Sequence, residues 1–77
     1  MAQHLKNISV QTFRKYLEWK GLKHIRTNGG HEIWCRSDLK RPVVIQSHIT
    51  PVPEFIVKQV LRTLNVEKQD FIDFLNS

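Results

Sequence analysis

An α+β domain built on three antiparallel strands is the fold class this chain predicts, in the order α-β-β-β-α with a short extra helix at the C-terminus. Three observations carry that expectation. Apolar residues recur at helical spacing toward both ends of the chain, next to recognisable cap residues. Two short runs flank Asn28-Gly29-Gly30, residue types that tolerate positive φ and so suit a hairpin turn. A third run, Val43-Val44-Ile45, is the most strand-like stretch in the chain. With 77 residues, the chain is read as one domain over 1–77. A domain near this size buries roughly 60% of the surface its unfolded chain exposes, so its core is small.

The first helix is expected over 10–20. Ser9 is suited to the N-cap, where its side-chain oxygen accepts from a free N–H of the first turn. Ile8 and Phe13 then occupy the two positions of a hydrophobic staple. Val10, Phe13 and Leu17 form one stripe, and Gly21 stands where a helix ends on positive φ. The first strand is expected over 22–27, with His24 an ordinary residue inside it, the second over 31–36 and the third over 41–46. Pro42 predicts that the third strand starts late or lies at the edge of the sheet. The loop 47–53 holds His48 and two prolines. The second helix is expected to start at Thr50 or just after it and to end at Asn65. A last helix is expected over 67–75, with Glu67 and Asp70 near its positive N-terminal end.

So short a sheet cannot bury both faces, so the helices are expected to cover one and leave the other open. Which side chains face out depends on the phase of 31–36. Turning Trp34 inward buries the largest apolar area and sends His31, Ile33 and Cys35 to the open side. The opposite phase buries Ile33 and Cys35 and exposes Trp34.

The net charge of +5 is uneven: residues 1–41 hold nine Lys/Arg against three Asp/Glu, and 42–77 hold three against four. A basic half points to a polyanion, nucleic acid above all, or simply to a solvated surface. The single cysteine, Cys35, excludes an intrachain disulfide and a multi-thiolate zinc site. Neither a signal-peptide h-region nor the roughly 18 apolar residues of a membrane span is present, so a cytoplasmic, membrane-free protein is expected. Histidine and carboxylate spacing predicts no metal site, and no phosphate-cradling glycine loop has the spacing of a nucleotide hydrolase. No cofactor is expected.

Of the four histidines, His4 lies close to the N-terminus and is given no role. His31 is the one that two glycines precede. Gly29 and Gly30 remove side-chain bulk and allow a nucleic-acid backbone to approach. Lys23, Arg26, Arg36, Lys40 and Arg41 surround the hairpin, either as a phosphate-binding rim or as a solvated surface.

The chain resembles the HicA (YcfA-like) toxins of bacterial toxin–antitoxin systems. The likeness rests on a helix ending at Gly21, Arg26 in the first strand, Gly29-Gly30-His31 leading into Trp34, "VVIQSHI" over 43–49, "VLRTLNV" over 60–66 and "QDFIDFL" over 69–75. It spans nearly the whole chain. Two departures are Gly30, where Ser is frequent, and Glu32, where a second His is common. A negative charge at 32 is expected either to favour protonated His31 or to repel phosphate. The resemblance implies a fold like the double-stranded-RNA-binding domain and a metal-independent mRNA interferase with His31 as general acid/base. His48 is a second proton-transfer candidate if its loop folds beside the hairpin. It also implies inhibition by a HicB-type antitoxin. A monomer is expected when the protein is alone. The alternative from another class is a non-catalytic RNA- or DNA-binding module, since double-stranded-RNA-binding domains read shape and 2′-OH groups without cleaving.

Overall fold

The computed structural model describes residue 5 and residues 7–76. The elements are α1 (Val10–Trp19), β1 (Lys23–Asn28), β2 (His31–Cys35), β3 (Val43–Gln46), α2 (Glu54–Leu64) and α3 (Lys68–Leu75). This is the expected α+β order with the extra C-terminal helix. His4 lies outside the described residues.

The two ends of α1 follow from local chemistry. Ser9 Oγ accepts from the Thr12 backbone N–H at 3.0 Å, and Ile8 and Phe13 are both buried. At the other end Gly21 adopts φ +88°. Gly21 N–H then donates to the Glu18 carbonyl and Leu22 N–H to the Leu17 carbonyl, at 2.9 and 3.0 Å. That pair of bonds is a Schellman closure, which satisfies carbonyls the helix leaves free.

The sheet order is β1-β2-β3, antiparallel throughout. β3 starts at Val43, directly after Pro42, and forms an edge. Trp34 is 3% exposed, so the phase of β2 that turns the indole inward is the observed one. Trp34, Val43 and Ile45 belong to one core with Phe13, Tyr16 and Leu17 of α1, Val57, Val60, Leu61 and Leu64 of α2, and Phe71 of α3. The helices therefore cover one face of the sheet. The other face carries His31, Ile33 and Cys35, all more exposed than their neighbours in β2.

The start of α2 corrects the sequence expectation. The helix begins at Glu54, with Pro53 as N-cap, and not at Thr50 or just after it. Val52 donates its N–H to the Ile8 carbonyl at 2.7 Å in an isolated antiparallel bridge and is itself buried. A residue committed to extended pairing cannot also sit in a first helical turn. The far end is as expected: Asn65 takes the left-handed conformation, φ +58°.

α3 is held to α1 by rings and by one polar cluster. The Phe71 ring meets Tyr16 edge-on at a centroid distance of 4.6 Å and Phe13 at 5.9 Å. Tyr16 Oη donates to Asp70 at 2.7 Å, and Lys20 Nζ lies 3.0 Å from the same carboxylate. The Tyr16 hydrogen bond, reinforced by Lys20, holds Asp70 below the usual carboxylate range despite the opposing effect of burial. Burial, with the Asp70 bond, pushes the Tyr16 phenol up.

Candidate functional site

The open face of the sheet is assembled by register. Residues paired across antiparallel strands point to the same side. His31 lies between Asn28 of β1 and Gln46 of β3, and Ile33 between Arg26 and Val44. Cys35 faces Lys23. β1 carries a bulge: His24 pairs with Trp34, but the next pairing, with Ile33, belongs to Arg26. Ile25 is the extra residue. The bulge turns Lys23 and Arg26 to the same open face, although their spacing of three would separate them in a regular strand. His24 faces the helix side, its ring 5.3 Å from that of Trp34 and its Nε2 2.8 Å from Thr27 Oγ1.

The hairpin corner and the loop after β3 meet at Gly30. Ser47 donates twice to the Gly30 carbonyl, from its N–H at 2.8 Å and its hydroxyl at 3.0 Å. The next residue, His48, is thereby laid against the glycine. A Cβ on Gly30 would stand 2.8 Å from His48 Nδ1, and Gly30 has φ +84°. Two demands converge there: a backbone that L side chains rarely adopt, and room for an imidazole. The loop does fold beside the hairpin, and the exposed His31 and His48 lie next to and against the same glycine. A serine at position 30, frequent in the resembling family, would displace the His48 ring.

Glu32 behaves differently from the expectation that it acts on His31. It is 4% exposed and lies on the helix-covered face. Arg14 of α1 holds both carboxylate oxygens through Nε at 3.0 Å, with a further contact from Nη2, and the Trp34 indole N–H donates to Oε1 at 3.1 Å. The Arg14 bond chiefly keeps this carboxyl below its ordinary range, against burial, with the Trp34 bond adding to it. The charge is thus neutralised from the opposite side of the sheet. The alternation that turns Trp34 inward carries Glu32 with it, so this signal was present in the sequence. Its arginine partner, in another element, was not.

The cations do not form a ring around His31. Lys23 and Arg26 stand on the open face, in no ion pair among the described residues. Arg36 is a brace: its Nε and Nη2 hold Asp38 at 2.5 and 3.1 Å while Nη1 donates to the Lys20 carbonyl at 2.6 Å. It thereby ties the loop after β2 to the last carbonyls of α1. Lys40 and Arg41 sit in that same loop, at the opposite end of β2 from His31, and line a shallow groove with Arg62.

One feature beside His31 was not anticipated. A cleft of about 160 Å³ opens between β3 and the loop entering α2, lined by His31, Val44, Gln46, Ile49, Val52 and Phe55 among others. It is composed in tertiary space from three segments, which no local pattern reveals. Among the described residues, no group of three or more His, Cys, Asp or Glu side chains is arranged to hold a metal ion. No helix there is long and apolar enough to cross a membrane. Compared with known proteins, the chain matches no family model, no curated protein and no solved structure.

Proposed function

We propose that the protein is a metal-independent endoribonuclease, the toxin of a type II toxin–antitoxin pair, acting in the cytoplasm on mRNA and restrained by a HicB-type antitoxin. The observation that carries this reading is that exposed His31 follows Gly30 and exposed His48 lies against the same glycine, at the margin of an open sheet face that also bears Arg26 and, farther along, Lys23. The likeness of Gly29-Gly30-His31 and the surrounding elements to the HicA toxins supports it.

RNA carries its own nucleophile. A base removes the 2′-OH proton, the oxygen attacks the adjacent phosphorus, and the P–O5′ bond breaks as an acid protonates the leaving oxygen. The products are a 2′,3′-cyclic phosphate and a free 5′-OH. Imidazole serves either role near neutral pH, and each positioned proton transfer contributes typically about 10²–10⁴-fold. His31 and His48 divide the two roles. Arg26 attracts the phosphodiester, Lys23 extends the cationic face toward the other end of β2, and the open space at Gly29 allows the phosphodiester to come close.

The test is cleavage of single-stranded RNA in the presence of a chelator. Wild type cuts RNA but not DNA and leaves cyclic-phosphate ends, whereas folded His31→Ala cuts neither and His48→Ala is strongly impaired. Full activity in folded His31→Ala, or a requirement for a divalent ion, refutes the mechanism. The placement of Lys40 and Arg41 away from His31 favours one second reading, a non-catalytic RNA- or DNA-binding module. That reading is adopted if wild type binds RNA and never cuts it.

A further inference from the structure

We propose that the cleft between β3 and the loop entering α2 receives one unpaired nucleobase of single-stranded RNA, stacked on Phe55 and met at its edge by Gln46. The inference deepens the ribonuclease reading and rests on it for the identity of the polymer. The cleft has the make-up of a small-ligand site: largely apolar walls with a few polar groups. Phe55, the second residue of α2, is 69% exposed, so its ring adds little to the core and presents a face for stacking. Ile49, 38% exposed, lines the same cleft.

Gln46 is the Cα partner of His31 across β2 and β3, and its side-chain amide makes no hydrogen bond among the described residues. A primary amide offers both donors and an acceptor, which is what the edge of a base requires. Charge selects the occupant. The cleft opens beside Val44, which shares a row across the open face with Ile33 and Arg26; an apolar cleft with a cation two strands away suits a ligand with an aromatic ring and an attached anion, which describes a nucleotide. Single strands are recognised in this way, by bases splayed onto aromatic side chains beside a cationic track, whereas a paired base is not available to enter. The base in the cleft then sets the register of the scissile phosphate at His31, which makes Phe55 and Gln46 determinants of specificity.

The experiment measures binding without cleavage, using short 2′-O-methyl RNA oligonucleotides that lack the nucleophile and together contain all four bases. Each is compared with versions carrying one abasic position and with its duplex. Phe55→Ala is expected to weaken single-strand binding about tenfold or more, the loss typical of one stacked base, with Phe55→Trp restoring it. One abasic position should weaken binding to wild type and leave binding to Phe55→Ala unchanged, and duplex binding should not respond to residue 55. Equal single-strand binding by wild type and Phe55→Ala overturns the proposal, as does an abasic series with no sensitive position. So does sedimentation showing that Phe55→Ala dissociates an oligomer without altering RNA binding, which assigns the cleft to protein contact. A protein that binds through Phe55 but never cleaves RNA retains the base site and loses the ribonuclease reading. A protein that cleaves RNA with Phe55 irrelevant does the reverse.

Discussion

Single residues divide here into those that shape the corner and those that hold the sheet to its helices. Gly30 does the first. Alanine at this position must adopt φ +84° and meet the His48 ring, so Gly30→Ala is expected to lose more than about 1 kcal/mol of stability and to reduce cleavage as well. Thermal melting and a cleavage assay on the same preparation check both. Glu32 and Arg14 do the second. Removing Arg14 leaves a buried carboxylate with only the Trp34 indole as donor, a change that costs roughly 1–3 kcal/mol at a pair whose arginine is partly solvated. The sign with pH follows from the depressed value of Glu32. Its contribution is complete above the unfolded carboxylate's pKa of about 4.3 and is lost as pH falls through the lower folded value. The difference in Tm between wild type and Arg14→Ala should therefore be largest at neutral pH and close in acid. Glu32 also marks how far reading by residue could go. Its face was legible once Trp34 was turned inward; its neighbour in sequence, His31, was a misleading guide to its neighbour in space.

At the scale of elements, caps and turns were legible because they are local. Ser9, Gly21, Asn28-Gly29-Gly30 and Asn65 each state a backbone conformation within a few residues. The start of α2 was not legible, because it depends on Val52 reaching Ile8, a contact between distant segments. α3 shows the same dependence in energetic form. Eight residues do not make a stable helix alone, so its structure derives from packing on α1. Phe71→Ala is expected to cost about 3–5 kcal/mol, a large part of the total stability of a small domain, as chemical denaturation would register. Two arginines near the strands should separate cleanly. Arg36→Gln is expected to lower stability, because it frees Asp38 and the Lys20 carbonyl, with little change in the salt dependence of RNA binding. Arg26→Gln should leave stability intact and reduce the slope of log K against log salt by about one. Equal slopes for wild type and Arg26→Gln would remove Arg26 from the phosphate contacts.

For the molecule as a whole, the basic balance seen in the first 41 residues is not one patch. Arg14 and Arg36 are consumed internally, Arg26 and, toward the end away from His31, Lys23 mark the open face, and Lys40 and Arg41 stand in the loop beyond that end with Arg62. An inhibitor that silences the proposed activity has to cover the first of the two exposed groups and the histidines beside it. Acidic residues on its surface would supply the complement. On the proposed function, expression of the protein alone is expected to slow growth, and co-expression of a HicB-type antitoxin to reverse this; harmless accumulation of folded, RNA-cleaving protein would refute the toxin role. The bulge in β1 carries a different kind of consequence. Because Ile25 is the surplus residue, excising it leaves Lys23 opposite Cys35, His24 opposite Trp34 and Arg26 opposite Ile33. Position 25 is therefore a point of slack at which chain length can change without reversing the strand, and an exposed isoleucine disappears with it. Deletion at residue 27 has no such tolerance, since either Asn28 loses its place opposite His31 or the bulge is absorbed and Arg26 turns to the covered face, so a shortened chain that keeps RNA binding should be obtainable at residue 25 and not at residue 27.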